Sequence, residues 1–399
     1  MADRSPRRAP SVRRAPSSSG RRLAFAAVAA AAAALTLTGT LPSAAAEPRG
    51  PRDAVRDGLE QLVTDDGFPA ALAATVGRDG RVRNYTAGVA DLRTGAKVPV
   101  DGQVRAGSNT KTFTAAVVLQ LVGEGTVVLD APVETYLPNL LRGEGIDGRS
   151  ITVRQLLQHT SGLPNYTDHI LESVLGKGRH TYRQPRELLD IALAHEARFA
   201  PGTSWEYSNT NYVVAGLLIE KVTGRPLAEQ LTRRVIDRAG LRHTYFPGVG
   251  EEGIREAHPR GYHAAEPGAP LEDITELDPS WGWSAGQLIS TPGDLNRFFS
   301  ALIGGRLLAP AQLAEMRTTV KVEGPGWRPG TRYGLGVSST PLSCGGLMWG
   351  HGGDTPGYHS VPGATDDGRA ATVVVTANLA PAESLAHADA LLDTALCRK

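Results

Sequence analysis

Apolar residues in the first part of the chain beyond residue 50 predict a helix followed by two strands. Arg52–Val63 has apolar residues at helical spacing. Pro69–Val76 is a short, nearly continuous apolar run, as is typical of a buried strand. The turn-like residues Arg78 to Gly80 then precede a second run, Val82–Val89. The two runs are therefore predicted to form a β-hairpin.

Helical spacing dominates the middle of the chain, and strand-like runs return near its end. The predicted helices are Ser108–Leu121 (ending near Gly123), Val153–Leu157, Pro185–His195, Asn211–Val222 and a last helix, Ala382–Leu396. The later predicted strands are Tyr333–Val337, Leu347–Gly350, Tyr358–Val361 and Ala371–Ala377. Phe246–Pro279, rich in Gly, Pro and charge, is predicted to form surface loops. Strands at both ends with helices between them predict an α/β sheet built from both termini, with a helical insertion.

The first 46 residues have the order of charged, apolar and small residues found in an export signal. Arginines between Arg7 and Arg22 precede the Ala-rich run Leu23–Leu41 and the small residues Ser43–Ala46. We therefore expect residues 1–46 to be a signal peptide cleaved near Ala46, and the protein to be secreted. The Arg pair before Leu23 fits the twin-arginine route, and the ordinary secretory route fits equally well. An uncleaved membrane anchor is the alternative.

Charge and composition exclude several classes of partner. The 399-residue chain has a formal charge of +1, and loss of residues 1–46 removes seven Arg and one Asp, which leaves −5. A mildly acidic protein without a basic stripe is a poor partner for nucleic acid. No later segment is long and apolar enough for stable membrane insertion. No metal or other cofactor is expected, because the His and Cys residues lack metal-site spacing and no phosphate-binding loop follows a strand.

Cys344 and Cys397 are the two cysteines of the sequence. Two cysteines in an exported protein usually pair, whereas free buried thiols are typical of the cytosol. We therefore expect a disulfide that ties down the C-terminus.

The segment Ser108-Asn109-Thr110-Lys111 places a hydroxyl and an amine one helical turn apart on the same face. A serine hydroxyl becomes a good nucleophile when a neighbouring base takes its proton, and a desolvated lysine can be that base. The free N–H groups at a helix N-terminus also favour a developing oxyanion. Because Ser-x-x-Lys arises by chance in a chain of this length, the motif needs support from other residues.

Two further segments supply that support. Tyr207-Ser208-Asn209 begins a helix, where a tyrosine hydroxyl can relay a proton and an amide can bind a substrate amide. A core tyrosine beside a helix-capping residue is the structural alternative. His351-Gly352-Gly353 follows a late strand, and its glycines allow a substrate backbone to approach the strand edge.

In this order the three motifs resemble those of the penicillin-recognising serine hydrolases, which include class C β-lactamases. Four segments are similar to the exported actinomycete D-alanyl-D-alanine carboxypeptidases: Ile151–Pro164, Tyr207–Gly224, Trp281–Ala301 and Tyr333–Cys397. The resemblance implies an α/β fold of the β-lactamase/transpeptidase-like type, an antiparallel sheet flanked by helices with an all-helical insertion domain. It implies a sheet domain from residues 47–130 and 281–399, and a helical domain from residues 131–280.

The resemblance also assigns roles to the matching residues. Ser108 is expected to be acylated by the substrate carbonyl, with Lys111, Tyr207 and His351 as the other catalytic residues. The backbone N–H groups of Ser108 and Asp354 are expected to form the oxyanion hole. Substrate binding is assigned to Asn209, Trp281, Gly352, Gly353 and Asp354.

The activity implied first is that of a D-alanyl-D-alanine carboxypeptidase acting on peptidoglycan-type peptides, with β-lactams as inhibitors or substrates. Within the superfamily, a β-lactamase, an esterase, or an amidase or peptidase for D-amino acids are alternatives that act on β-lactams or small esters and amides. A penicillin-binding sensor without turnover is an alternative of another class. The protein is expected to be a monomer.

Two departures from the carboxypeptidase pattern weaken the expected binding of a substrate carboxylate. Those enzymes usually carry Thr at the positions of Gly352 and Asp354, and an Arg where this chain has Ser338 or Ser339. Loss of a cation and gain of a carboxylate should disfavour a C-terminal carboxylate. Arg332 is a candidate to compensate.

Two other segments have alternative interpretations. Gly282 to Gly286 matches Gly-x-Ser-x-Gly, which would make Ser284 the nucleophile of an α/β-hydrolase, but the preceding residues do not resemble an apolar strand. A turn beside the cleft is the preferred interpretation. His159 is interpreted as part of the last turn of a helix capped by Gly162.

Overall fold

The apolar run predicted as a buried strand forms β1 (Ala70–Val76), near the centre of a large sheet. The computed structural model describes residues 53–266, 268–322, 326–378 and 383–398. The predicted signal peptide, residues 1–46, lies outside them. Six of the seven residues of β1 are buried, because helices cover both faces of the sheet at this point.

The helices and strands have the following bounds. The helices are α1 Ala54–Thr64, α2 Asn109–Gly123, α3 Val153–Leu157, α4 Thr167–Leu175, α5 Pro185–Leu193, α6 Asn209–Thr223, α7 Leu227–Leu231, α8 Asp237–Ala239, α9 Trp283–Gly286, α10 Pro292–Ile303, α11 Pro310–Met316 and α12 Glu383–Leu396. The strands are β1 Ala70–Val76, β2 Val82–Asp91, β3 Ala96–Lys97, β4 Val104–Arg105, β5 Arg142–Gly143, β6 Ile146–Asp147, β7 Tyr262–His263, β8 Glu272–Asp273, β9 Ile289–Ser290, β10 Val320–Lys321, β11 Arg332–Tyr333, β12 Ser338–Pro341, β13 Leu347–Gly350, β14 Gly353–Thr355, β15 Tyr358–Thr365, β16 Ala370–Val375 and β17 Ala377–Asn378.

The large sheet joins the two ends of the described chain. Its strand order is β10-β11-β12-β13-β15-β16-β1-β2-β3, with β14 paired to β15, and its pairs are antiparallel. β1 lies beside β16, so an early strand and a late strand are neighbours. Helices α1 and α12 pack on one face of the sheet, and α10 packs on the other. This arrangement confirms the predicted α/β fold with an antiparallel sheet.

The helices between β4 and β9 pack around α2, whose first thirteen residues are buried. A helix that is apolar all round is typical of a position inside the core. Packing against α6 and α9 fixes the direction of α2 and therefore the position of the serine that precedes it. All described residues belong to one compact unit, Pro51–Lys399, and the division into two domains stays a prediction.

One predicted strand is wrong. Tyr333–Val337 is not continuous: β11 ends at Tyr333, and β12 begins at Ser338. The residues between them form a turn in which Gly336 has a φ of 77°, a value that favours glycine. The apolar residues of this turn, Leu335 and Val337, are buried in the core, which explains why the run resembles a strand.

The expected disulfide is present between Cys344, in the turn between β12 and β13, and Cys397, which follows α12. The Cα atoms of the two cysteines are 5.5 Å apart. Among the described residues, no helix has the length and apolar composition needed to cross a membrane.

Candidate active site

Ser108 lies at the N-terminus of α2, and Lys111 follows one turn later on the same face. The Lys111 Nζ atom is 3.0 Å from the Ser108 Oγ atom. Lys111 is completely buried, whereas Ser108 is partly exposed at the floor of a cleft. The predicted nucleophile and its predicted base are therefore in hydrogen-bond contact.

Lys111 is positioned by two acceptors besides Ser108. Its Nζ donates to the Asn209 Oδ1 atom at 2.6 Å and to the Ala285 carbonyl oxygen at 2.8 Å. Burial lowers the pKa of Lys111 well below its ordinary value, although the charge of Asp354 opposes the shift. A neutral amine has two N–H bonds, and these two acceptors use both of them. The remaining lone pair faces Ser108, as a base for the serine proton requires.

Tyr207 lies on the other side of Lys111, just before the residue that precedes α6. The Lys111 Nζ atom is 4.8 Å from the centre of the Tyr207 ring. Burial raises the pKa of Tyr207 well above its ordinary value, while a hydrogen bond with Ser108 acts in the opposite direction. The phenol therefore keeps its proton at neutral pH and can give it to a leaving group.

Two glycines bring the strand edge of the third motif against the nucleophile. A Cβ at Gly353 would overlap the Ala106 carbonyl oxygen. A Cβ at Gly107 would come within 2.7 Å of the Asp354 carbonyl oxygen and 2.8 Å of the Asp354 nitrogen. The backbone of Asp354 therefore lies directly beside the residue that precedes Ser108. This contact suits an oxyanion hole formed by the N–H groups of Ser108 and Asp354.

His351 is held by protein atoms on both ring nitrogens. Its Nδ1 donates to the Gly352 carbonyl oxygen at 2.6 Å, and the Tyr333 hydroxyl lies 2.9 Å from its Nε2. Because a carbonyl oxygen only accepts, Nδ1 carries the proton and Nε2 accepts from Tyr333. Burial lowers the pKa of His351 to about 3, and the charge of Lys111 contributes. His351 is therefore neutral above that pH, and its catalytic role stays a prediction.

Asn209 has protein partners at both ends of its amide. Its Oδ1 accepts from Lys111, and its Nδ2 donates to Asn165 Oδ1 at 3.2 Å and to Thr167 Oγ1 at 3.1 Å. The side chain lines the cleft, but its hydrogen bonds position Lys111. Its expected contact with substrate stays a prediction.

The cleft above Ser108 has a volume of about 650 Å³. Trp281, Gly352 and Asp354 line it, and so do three residues of α4: Thr167, Leu171 and Leu175. A Cβ at Gly352 would meet no atom within 4 Å, so the position expected to carry Thr is open space. The expected substrate-binding residues Trp281, Gly352 and Asp354 therefore face one cavity.

Of the two serines predicted to stand where the carboxypeptidases carry an Arg, only Ser338 faces the cleft. Ser338 lines the cleft, and its hydroxyl donates to the Gly350 carbonyl oxygen at 2.9 Å, whereas Ser339 is buried and is not among the described lining residues. Arg332 is not among them either, and it donates to the Thr319 carbonyl oxygen at 2.9 Å. The proposed compensation by Arg332 is therefore wrong.

Arg328 is the one Lys or Arg among the described residues that line the cleft. Its Nη2 is bonded to the Asp393 carboxylate at 3.1 Å. No sequence motif marks this residue, because its place in the cleft depends on how the loop before β11 packs against α12.

The alternative nucleophile, Ser284, does not have the required geometry. It is fully buried in the short helix α9, and its hydroxyl donates to the Tyr212 carbonyl oxygen at 2.7 Å. A 3₁₀ turn, Pro279–Trp281, precedes it where a nucleophile elbow needs a strand. The α/β-hydrolase interpretation is wrong. The preferred one, a turn beside the cleft, agrees with Gly282, Ala285 and Gly286, which line the cavity.

His159 belongs to the site and also ends α3 as predicted, but the left-handed residue that ends the helix is His159 itself and not Gly162. The His159 N–H donates to the Leu156 carbonyl oxygen, and the Thr160 N–H donates to that of Gln155. α3 ends at Leu157, and His159 has a φ of 61° and is fully buried.

The His159 ring lies 4.3 Å from the Tyr207 ring, measured between centres. Its Nδ1 accepts from the Ser208 N–H at 3.2 Å and from Asn211 Nδ2 at 3.1 Å. His159 therefore supports the segment that carries Tyr207.

Among the described residues, no group of three or more His, Cys, Asp or Glu side chains could hold a metal ion.

Comparison with known proteins gives one family over nearly all of the described chain. The family model described as "Beta-lactamase" matches residues 55–396. Among solved structures, a D-stereospecific amidohydrolase from Streptomyces sp. is 40% identical with a TM-score of 0.77, and the match covers 84% of this chain and 97% of that one. The D-amino acid amidase of Ochrobactrum anthropi SV3 is 28% identical with a TM-score of 0.76, and the match covers 86% of this chain and 96% of that one.

Relatives among curated proteins are named as penicillin-binding proteins and as an esterase. Penicillin-binding protein 4 of Amycolatopsis lactamdurans is 28% identical over 78% of this chain and 77% of its own length. Esterase EstB of Burkholderia gladioli is 30% identical over 69% of this chain and 79% of its own length. The putative penicillin-binding protein PbpX of Bacillus subtilis is 29% identical over 67% of this chain, and the match spans 60% of that protein.

Proposed function

This chain belongs to the beta-lactamase family of penicillin-recognising serine hydrolases, and we propose that it hydrolyses amides of D-amino acids through an acyl-enzyme at Ser108. The bond cleaved is the amide C–N bond. The first product is ammonia or an amine, and the second is the D-amino acid.

Acylation uses the hydrogen bonds described above. Neutral Lys111 takes the proton of Ser108 Oγ while the oxygen attacks the amide carbonyl carbon. The carbonyl oxygen becomes negative between the N–H groups of Ser108 and Asp354. Tyr207 then gives its proton to the leaving nitrogen, the C–N bond breaks, and the proton held by Lys111 restores the phenol.

Deacylation repeats these steps with water as the nucleophile. Water gives one proton to the Tyr207–Lys111 pair and attacks the ester carbon of the acyl-enzyme. The ester bond breaks, the pair returns its proton to Ser108, and the acid gives the remaining proton of the water to solvent and leaves as a carboxylate.

The observation that carries the choice of an amide substrate is the wall of the cleft formed by β12, β13 and β14. It presents the Ser338 hydroxyl, the open position at Gly352, neutral His351 and the Asp354 carboxylate. Arg328, the cation among the described lining residues, is bonded to Asp393. Its Nη1 has no hydrogen-bond partner among the described residues, but Asp393 offsets its charge, and the wall also carries the Asp354 carboxylate. The wall therefore disfavours a substrate carboxylate, whereas an uncharged amide needs no cation.

The D configuration rests on similarity. The solved relatives named for D-stereospecific amidohydrolase and D-amino acid amidase activity match over more than four fifths of this chain. The carboxypeptidase activity expected from the sequence stays a prediction, which the same assay tests.

The deciding experiment compares three substrates with the purified protein: D-phenylalanine amide, L-phenylalanine amide and a peptide ending in D-Ala-D-Ala. We expect the D amide to be hydrolysed at least about tenfold more efficiently than either of the others. Ser108→Ala should abolish both hydrolysis and labelling by a fluorophosphonate, and Ser284→Ala should retain labelling. Faster release of D-Ala from the peptide would overturn the proposal, and labelling without turnover of any substrate would favour the sensor.

We also propose that the protein is exported. The order of residues in positions 1–46 supports this, and mass spectrometry of the protein secreted by an actinomycete host tests it. A mature N-terminus at or near Glu47 is the expected result.

A further inference from the structure

A carboxylate of the cleft wall is held by a histidine on the neighbouring strand. Asp354 and His359 are opposite each other in the register of β14 and β15. The Asp354 Oδ1 atom accepts from His359 Nδ1 at 2.7 Å, and 63% of the Asp354 side chain is exposed in the cleft. Desolvation acts in the opposite direction, but the charge and hydrogen bond of His359 keep the pKa of Asp354 below its ordinary value. The carboxylate is therefore ionised and accessible.

His359 lines the same cleft and has an unused ring nitrogen. Its side chain is 8% exposed, and its Nε2 has no hydrogen-bond partner among the described residues. Because Nδ1 donates to Asp354, Nε2 is an acceptor whenever the ring is neutral. Buried polar atoms are normally paired, so this atom indicates a missing partner.

Asp389, on α12, completes this wall. It lines the cleft and has no hydrogen bond or ion pair with any described residue. Burial raises the pKa of Asp389, and the charges of His359 and Arg328 oppose the shift. We call Asp354, His359 and Asp389 the acidic wall.

When both carboxylates are ionised, the charge of the acidic wall is negative even if the imidazole is protonated, and a bound cation would favour the ionised form of Asp389. Arg328 is paired with Asp393, and His351 is neutral. His263 also lines the cleft, and burial lowers its pKa. The described groups that face the wall therefore leave at least one carboxylate without a counter-ion, and a cation is the ligand that such a wall favours.

Asp354 also lies close to the expected position of the reacting carbonyl group. The backbone of Asp354 packs against Gly107 and provides one N–H of the proposed oxyanion hole. The α-nitrogen of an amino acid amide is two bonds from the carbonyl carbon. The Asp354 carboxylate carbon is three bonds from its own backbone nitrogen, so the group that would bind the amine and the N–H that would bind the carbonyl oxygen belong to the same residue.

We propose that the acidic wall binds a protonated amine of the substrate, so that the enzyme selects amino acid amides with a free amino group. This inference rests on the proposed function and specifies its substrate class. An α-ammonium fits the position of Asp354, and an ammonium at the end of a side chain has the same chemistry.

The test compares wild type with Asp389→Asn and Asp354→Asn on matched chromogenic substrates. D-phenylalanine p-nitroanilide carries the free amine, and its N-acetyl derivative does not. Nα-acetyl-D-lysine p-nitroanilide carries only a side-chain amine and distinguishes the second source. Asp190→Asn is the control, because Asp190 is an exposed carboxylate on α5 that pairs with Arg186.

We expect the ratio of kcat/KM for the free amine over its N-acetyl derivative to fall about tenfold in Asp389→Asn, since a charged hydrogen bond is lost. The change should lie mainly in KM, Asp354→Asn should change the ratio in the same direction, and Asp190→Asn should leave it as in wild type. If the lysine derivative shows the dependence instead, the amine bound is that of the side chain. Ratios in both wall variants equal to wild type would overturn the inference and leave the amidase proposal intact.

A second readout needs no amidase activity. Phenethylamine should protect Ser108 from a fluorophosphonate at lower concentration than N-acetylphenethylamine, and Asp389→Asn should remove that difference. Selective protection by a protein that hydrolyses no amide would keep the ammonium site and reject the proposed function. Equal protection by the two compounds would reject the site.

Discussion

The protonation state of Lys111 is the property on which catalysis depends at the scale of single residues. Burial lowers the pKa of Lys111, and only the neutral amine can accept the Ser108 proton. Activity should therefore be lost as the pH falls through that lowered pKa and be restored as the pH rises. We expect an acidic limb in the pH profile of kcat/KM for a neutral N-acetyl amide.

Lys111→Ala should lower kcat about 10²–10⁴-fold and abolish that limb, because the base is gone. His359→Gln is the matched variant, since the Asp354 carboxylate raises the pKa of His359 despite the burial of its ring. It should leave the limb in place. A limb with the same midpoint in the residual activity of Lys111→Ala would contradict the assignment.

His159 offers a second prediction, which concerns the position of Tyr207. His159→Phe removes the acceptor of the Ser208 N–H and of Asn211, two groups that are buried. We expect a loss of about 1–3 kcal/mol in the free energy of unfolding and a lower kcat at little-changed KM. Urea unfolding and steady-state kinetics measure the two effects.

His159→Asn is the conservative variant, because its amide oxygen can take the place of Nδ1. It should recover part of kcat and of the stability. A folded His159→Phe protein with wild-type kcat would show that the ring does not position Tyr207.

At the scale of elements, the contact between β14 and the loop before α2 depends on glycine. A Cβ at Gly353 would overlap the Ala106 carbonyl oxygen and approach Asn109, whereas a Cβ at Gly352 would meet nothing within 4 Å. Gly353→Ala should therefore push the N–H of Asp354 away from Ser108 and lower kcat/KM about 10²-fold or more.

Gly352→Ala is the matched control one residue away. It should keep its activity within about threefold of wild type, because the added methyl group enters open space. Fluorophosphonate labelling of Ser108 in both variants measures the effect independently of substrate binding. Equal loss in the two variants would contradict the argument from close packing.

The sequence predicts elements well where their pattern is local. α2 is predicted because its apolar residues cover all faces, and β1 because its apolar run is short and bounded by turns. The predicted strand Tyr333–Val337 fails because burial of Leu335 and Val337 has the same pattern in a turn as in a strand. α10 is absent from the predicted elements, although Thr291 before Pro292 is a start signal and Thr291 caps the helix.

The parts of the site that the sequence does not predict are contacts between distant segments. Tyr333, on β11, reaches His351 past the intervening strand β12, and Asp389 reaches the cleft from the last helix. Neither Tyr333 nor Asp389 belongs to a motif that can be recognised within its own segment. Only the packing of the strands and α12 gives them a place beside the reaction, which residue spacing does not encode.

At the scale of the whole molecule, early and late segments of the described chain form the large sheet together. β1 pairs with β16, and α1 packs against α12 on the same face of the sheet. The sheet therefore forms only when early and late segments meet, and such non-local contacts make closure of the chain costly in entropy. A covalent link between two late segments reduces a different part of the entropy cost, that of holding α12 against the sheet.

The disulfide Cys344–Cys397 provides the link, and its removal is the prediction that belongs to this scale. It joins residues 53 positions apart in the sequence, for which chain entropy gives about 4 kcal/mol of stabilisation. Cys344→Ser/Cys397→Ser should lose about that much free energy of unfolding in urea, with a somewhat larger m-value, because the unfolded chain without the cross-link exposes more surface. Because α12 also packs on β15, β16 and α1, it should stay in place in the folded variant. The folded variant at 25 °C should therefore keep the preference for substrates with a free amine that depends on Asp389. Loss of that preference in a folded protein would mean that the disulfide, and not helix packing, positions the acidic wall.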